Sequence, residues 1–389
     1  MEKIANYKFI NECRICSSRL VKLKKVLDLG NQPLANNYNE STKYSLQLMY
    51  CLICQHAQLS IAIAPNELYT GKYPFLAGQS KSWIEHCKFL VKDNPIDPYE
   101  LVIDIGANDG SLLNQYDNYH IKKVGIEPSS ITGNYIKYNT FWNPKIARLV
   151  VKEHGHADVI FATNVFAHVD NLNEFLDGIA IALNCRGLFV FEVPDLTTCV
   201  KKNMYDTIYH EHLNYFSRGS ILRLFMNRKD LFVCNMQSTH IHGGSLLVTI
   251  SKRFSRLPSE QLNQILKDCN YLFTQMPNFA QTIKQENERL FQTIKDIEGT
   301  IYGYGASAKA CVRLNYNFTI AERLKGVFDD APSKINYKIP GTNLSILNAT
   351  QIKKISPDYI MILSPNITQE LKIKAREYGF KGQFLEVVD

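Results

Sequence analysis

The stretch that most limits the fold is Leu101-Val-Ile-Asp-Ile105 followed at once by Gly106-Ala-Asn-Asp-Gly110. A short apolar run that ends on a glycine-rich turn reads as a buried strand feeding a close backbone approach to a ligand. A second strand, Lys123-Val-Gly-Ile-Glu127, closes on an acid that can accept both hydroxyls of a ribose. Asp158–Thr163 and Leu188–Val193 are further strands, with Asn164-Val-Phe-Ala-His168 at the end of the first, and a helix is expected to start near Ser111. This β/α alternation predicts an α/β fold built on a largely parallel sheet.

The turn also restricts the cofactor. A dinucleotide fingerprint is GxGxxG, which admits a pyrophosphate. Here the pattern is DxGxxxG, and Asp104 would repel a diphosphate but suits a cofactor with a positive charge. That turn resembles the first motif of the class I S-adenosylmethionine-dependent methyltransferases, with Glu127 at the expected distance. Asp104, Gly106, Asn108, Gly110, Glu127 and Asn164 are the candidate cofactor residues.

Upstream, Cys13-Arg-Ile-Cys16 and Cys51-Leu-Ile-Cys54 form two CxxC pairs. Four thiolates from two knuckles match a closed tetrahedral zinc, although the spacer exceeds the roughly 15–20 residues common in zinc ribbons. Leu29–Asn36 reads as a polar surface loop, and Tyr69–Ser80 as an aromatic loop, either a lid or a packed linker. The other cysteines of the ten read as packing residues, reduced and in the cytoplasm, because the N-terminus lacks the apolar core of a signal peptide.

The length of 389 residues predicts two or three domains, and 45% hydrophobic with 21% charged residues is ordinary globular composition. The net charge of +7 is scattered, without a basic stripe interleaved with aromatics, so no nucleic-acid partner is expected. No apolar run approaches the roughly 18 residues of a membrane helix. With no heptad seam or long exposed apolar strand, a monomer is expected.

Tyr209-His210-Glu211-His212 places ionisable groups together between apolar runs, a candidate proton-transfer centre or a set of structural hydrogen bonds. Residues 258–298 read as amphipathic helices joining two lobes. After them, Ile301-Tyr-Gly-Tyr-Gly-Ala-Ser-Ala-Lys309 is a strand, a glycine turn and a helix start suited to a phosphate, with Tyr302, Tyr304 and Asp329 at the sheet edge.

Taken in order, CxxC…CxxC, YPFLAGQSKSW, VIDIGANDGSLL, GIEPS, NVFAHVDNL, DTIYHEHLNYFS, HGGSLL and GYGASAKA resemble the sugar C-methyltransferases that act on nucleotide-linked deoxysugars. The resemblance runs almost end to end. It implies a small zinc-binding N-terminal domain (1–75), a central class I methyltransferase Rossmann-like domain (76–255), and connecting helices with a C-terminal Rossmann-like domain (256–389). It further implies a nucleotide-diphosphate sugar substrate, methylated on a ring carbon beside a 4-keto group. His212 becomes the base, Tyr209 and Glu211 orient the sugar or share its proton, and His168 lies beside the reacting carbons. Tyr73, Phe75, Tyr304 and Lys309 become substrate contacts. The chain departs from the family at Leu247, at Ser364-Pro365-Asn366 and at Asp195, positions that bear on the sugar more than on the reaction. The rival expectations are methyl transfer to oxygen or nitrogen, or a non-catalytic zinc-stabilised binding protein.

Overall fold

In the computed structural model the described residues are 7–16, 23–38, 42–69, 76–97, 100–117 and 120–386. Tyr73 and Phe75, expected to touch the substrate, lie outside them.

The Leu101–Ile105 strand is buried along its whole length and sits inside a seven-stranded sheet. It pairs in parallel with Lys122–Ile126 on one side and Ala157–Thr163 on the other. Leu183–Pro194 continues the parallel order, and the Ser245–Ser251 and Phe232–Thr239 hairpin closes that side antiparallel. All the parallel strands end on one edge, so Gly106, Glu127 and Asn164 gather there, as ligand sites in open α/β sheets do. Helix Lys81–Asp93 follows a capping Ser80, whose side chain accepts from Trp83 N, and Pro144–His154 is capped by Asn143 with proline at its first position.

The helix expected near Ser111 is instead a single 3-10 turn, Leu113–Gln115. Asp109 accepts from Ser111 N at 3.1 Å and also binds the Ser111 hydroxyl, a local ring that competes with helical bonding.

A second, five-stranded sheet is parallel throughout, in the order Ile346–Asn348, Leu324–Asp329, Ile301–Tyr304, Tyr359–Ile362, Gln383–Glu386. The chain reaches it through helices Ser259–Gln275 and Phe279–Lys295. Among the described residues no helix is long and apolar enough to cross a membrane.

The N-terminal module is a four-stranded antiparallel sheet, and one of its strands is borrowed. Asn214–Tyr215, directly after the YHEH segment, pairs with Ala57–Leu59, which pairs with Lys43–Tyr50 and then Lys24–Pro33. Leu29–Asn36 is therefore not a surface loop. Its first half lies in the Lys24–Pro33 strand, with Leu29, Gln32, Leu34 and Ala35 buried. Gly30 at φ +73° lets the strand bulge between Asp28 and Asn31, which keeps the apolar side chains inward despite the polar sequence. Helix residues Leu272, Met276, Phe279 and Ile283 pack into the same core as Leu27, Leu48, Tyr205 and Tyr215. Cys87, Cys199 and Cys311 are buried as expected of packing residues, whereas Cys185 is exposed.

Candidate methyl-transfer site

The cofactor side is built from short-range contacts. Glu127 is buried, its Oε2 accepting from Asn108 N at 2.9 Å and its Oε1 from Ser129 N at 2.8 Å. Asn108 adopts φ +48° and its Oδ1 accepts from Ala77 N at 3.0 Å, while Gly78 N donates to Asp109 Oδ2 at 2.8 Å. The Ala77–Gln79 turn, the end of the aromatic stretch, is thus pinned to the glycine turn. Gly106 sits at φ +77°, and a Cβ there would collide with Val165. Asp104 Oδ1 is buried and makes no hydrogen bond among the described residues. Burial, and then the Glu127 charge, push the Asp104 carboxyl well above the usual carboxylate range.

His210, Glu211 and His212 are buried and Tyr209 is half-buried, so the YHEH segment is not a solvated loop, and its four side chains separate. Tyr209 and His212 turn toward each other, their rings 4.0 Å apart and the Tyr209 hydroxyl 2.8 Å from His212 Nε2. His212 Nδ1 lies 2.9 Å from the Thr207 carbonyl. A carbonyl only accepts, so Nδ1 carries the proton and Nε2 presents its lone pair to the Tyr209 O–H. Glu211 points to the N-terminal module, where Asn36 Nδ2 donates to its Oε1 at 2.7 Å. His210 faces away, packed edge-on against Tyr44 with Nε2 3.3 Å from the Ser45 carbonyl.

His168 arrives from the turn after Ala157–Thr163. Its ring centroid is 5.0 Å from that of His212. Tyr69 stacks on it at 5.7 Å, donating its hydroxyl to the Glu211 carbonyl at 3.2 Å and accepting from His168 Nδ1 at 3.0 Å. His168 Nε2 is shielded from water and has no protein partner among the described residues. Burial lowers His168 to about 4; it also holds His212 well below 6.5, aided by the neighbouring His168. Both imidazoles are neutral at pH 7, and burial, then Glu211, keeps the Tyr209 phenol protonated. Two neutral, oriented imidazoles beside a phenol can accept and relay a proton.

These two segments share one anchor beneath the site. Phe166 stacks on Phe216 with centroids 5.3 Å apart, both fully buried. Each such ring contributes about 1.5–3 kcal/mol of burial. From helix Ala308–Tyr316 of the C-terminal unit, Arg313 Nη2 donates to Asp206 Oδ2 at 2.8 Å, a buried pair that fixes the chain just before Thr207. Asn36, Tyr69 and Arg313 were not singled out as site residues by sequence reasoning. The only available signals were the polar run ending at Asn36 and the aromatic stretch opening at Tyr69.

In the C-terminal unit, Lys309 Nζ approaches the His242 carbonyl at 3.4 Å, at the start of helix Ala308–Tyr316. Tyr304, expected to bind substrate, does not face a cleft. It is fully buried and its hydroxyl is donated to Asp330 at 3.0–3.1 Å, because the strand alternation turns it into the core with Phe328 and Ile360. Asp329, from the same edge, accepts from Ala306 N at 2.7 Å and so braces the glycine turn.

The four knuckle cysteines bring their Sγ atoms within 4.8 Å of one another, with Cys13–Cys54 at 3.4 Å and Cys16–Cys51 at 3.6 Å.

Three family models match in succession: a zinc binding domain over residues 13–69, a methyltransferase domain over 79–229, and a C-methyltransferase C-terminal domain over 240–388. The C-methyltransferase NovU of Streptomyces niveus is 26% identical over 399 residues, spanning 96% of this chain and 94% of its own. Together the three matches and this relative make the chain similar to the C-methyltransferases along almost its whole length. Similar solved structures include an S-adenosylmethionine-dependent methyltransferase from Anabaena variabilis (13% identity, 46% of this chain and 86% of that one, TM-score 0.34). Another is the magnesium protoporphyrin IX methyltransferase from Synechocystis (12% identity, 43% and 81%, TM-score 0.32).

The residues of this methyltransferase fit both groups that these similarities imply. Thiolates about 2.3 Å from a tetrahedral zinc stand roughly 3.8 Å apart, close to the spacings of the knuckles. S-adenosylmethionine fits the glycine turn, where a Cβ is excluded at Gly106 and Asp104 offers an unpartnered buried oxygen to a cationic ligand.

Proposed function

We propose that this methyltransferase moves a methyl group from S-adenosylmethionine to a ring carbon beside the ketone of a nucleotide-diphosphate-linked 4-keto-deoxysugar. The observation that carries the reading is the His212 Nε2 lone pair, held by the Thr207 carbonyl bond and set beside His168. A carbon acid needs a base before it becomes a nucleophile, and transfer to a hydroxyl or amine needs less proton machinery.

S-adenosylmethionine, held by Asp104, Gly106, Asn108, Gly110, Glu127 and Asn164, supplies an electrophilic methyl carbon. His212 removes the proton alpha to the ketone. In the free enzyme Tyr209 covers that lone pair, and the substrate C–H takes its place, leaving the phenol free to hydrogen-bond the developing enolate. Glu211, steadied by Asn36, orients the sugar hydroxyls, and His168 stands beside the reacting carbons. Lys309 and the N-terminus of Ala308–Tyr316 suit the diphosphate. Tyr73 and Phe75 are proposed to line the sugar. The enzyme is proposed to work as a cytoplasmic monomer, with no nucleic-acid partner, in deoxysugar biosynthesis.

The test is a panel of 4-keto sugar nucleotides incubated with S-adenosylmethionine and read by mass gain, with S-adenosylhomocysteine binding measured alongside. The reading expects a gain of one methyl, and wash-in of solvent deuterium at the alpha carbon under conditions that prevent transfer. Methylation of oxygen or nitrogen without wash-in would replace it with the heteroatom reaction, and absence of cofactor binding would remove both.

A further inference from the structure

The segments bearing His168 and His212 come from different connections, yet one cation from the metal module touches both. Arg14 lies between Cys13 and Cys16, its side chain 5% exposed. Its Nε and Nη2 donate to Asp170 Oδ1 at 3.2 and 3.1 Å, and Nη1 reaches the Leu213 and Leu59 carbonyls at 3.4 and 3.5 Å. Asp170 stands two residues past His168, and Leu213 one residue past His212. Arg14 N donates to Gln58 Oε1 at 2.9 Å, and Gln58 is the sheet partner of Asn214.

The second knuckle makes a parallel connection. His56 Nε2 meets Asn214 Oδ1 at 3.1 Å. Asn214 Nδ2 donates to the Val169 and Ala167 carbonyls at 2.6 and 3.3 Å, which flank His168. His56 and Asn214 are both buried. A module that served only to fold itself would keep such buried donors for its own backbone. Here Arg14 reaches the Asp170 carboxylate and the Leu213 carbonyl as well as the Leu59 carbonyl of its own module, and His56 reaches the Asn214 side chain; a buried guanidinium so placed is stabilising only while its partners stay put.

We propose that Arg14 is a positioning residue for methyl transfer, fixing the His168 and His212 backbones relative to one another from the zinc knuckle. The two cysteines on either side of Arg14 fix its direction, so metal occupancy is felt at the reacting rings. The proposal rests on His168 and His212 being the reacting pair. A drift of about 1 Å between reacting groups is worth roughly 10²-fold in rate.

The experiment uses the full chain with zinc, as wild type, Arg14→Gln, Asp170→Asn and the double variant, each saturated with S-adenosylhomocysteine. Zinc content, S-adenosylhomocysteine affinity and the 15N resonances of the His168 and His212 ring nitrogens are measured, none of which needs the sugar. Both single variants should keep one zinc and wild-type affinity while shifting the ring resonances of both histidines, and the double variant should add nothing. With an identified substrate, kcat should fall about 10- to 100-fold with KM nearly unchanged. Wild-type ring resonances in Asp170→Asn overturn the proposal, whatever Arg14→Gln does to the metal. A failure to methylate carbon would count against the proposed reaction and leave the resonance result standing.

Discussion

The cofactor turn and the imidazole pair are built in opposite ways. Between Asp104 and Ser129 the binding surface is held largely by local contacts, with Ala77 and Gly78 bonded on from upstream: Glu127 accepts from Asn108 and Ser129, and Asp109 from Ser111. The proposed reacting side is assembled from five distant pieces, with Asn36, Tyr69, His168, the 206–216 segment and Arg313 meeting across three sheets. A local site survives as a motif; a junction site exists only while its neighbours are folded.

If that contrast is right, damage to one side should spare the other. The largest effect is expected from His212→Asn, which should cut turnover by at least about 10³-fold, or about 4 kcal/mol of barrier, with S-adenosylhomocysteine affinity unchanged by calorimetry. Tyr209→Phe should cost less, since it uncovers Nε2 without removing it. Retained turnover in His212→Asn would move the base to Glu211 or His168.

Stripping zinc with a chelator comes next. The YHEH segment lends Asn214–Tyr215 to the zinc-module sheet, so turnover should fall at least about tenfold and the melting temperature by several degrees. S-adenosylhomocysteine affinity should hold within about threefold, because the Asp104–Ser129 contacts do not reach the knuckles. A parallel loss of cofactor binding would erase the contrast.

Gly106→Ala probes the other side. Left-handed backbone costs a β-carbon about 1–2 kcal/mol, and the added atom meets Val165. Cofactor affinity should weaken about tenfold while zinc content stays at one ion per chain.

A last effect is spread through the junction and read by pH. His168 and His210 have folded values of about 4, and His212 lies well below 6.5. Each folded value is below its unfolded one, so the unfolded chain binds more protons between them. Their stability is whole above pH 6.5 and is lost as pH falls from there toward 4. Each contributes a slope of up to about 1.4 kcal/mol per unit, and urea midpoints at pH 7, 6, 5 and 4.5 should show it. A flat profile would mean the rings take up protons without cost.

Amino-acid order alone determined the parallel α/β core, the cofactor turn and the four thiolates. These depend on periodicity, on φ values only glycine adopts easily, and on ligands spaced within one turn, all of which are local quantities. It also flagged Glu211 and His212, because ionisable residues between apolar runs are conspicuous, while His168 was named only through the family resemblance.

What order could not determine was direction. Tyr304 and Lys309 lie five residues apart on one motif, yet one is in the core and the other partly exposed. Leu29–Asn36 is polar but folds inward, and of the YHEH group only Tyr209 and His212 face each other. Those outcomes depend on a borrowed strand, a buried Arg313–Asp206 pair and an arginine in a zinc knuckle, contacts made across 107 to 199 residues of chain. Such contacts leave no local pattern, because each partner is ordinary until the tertiary fold removes water from around both.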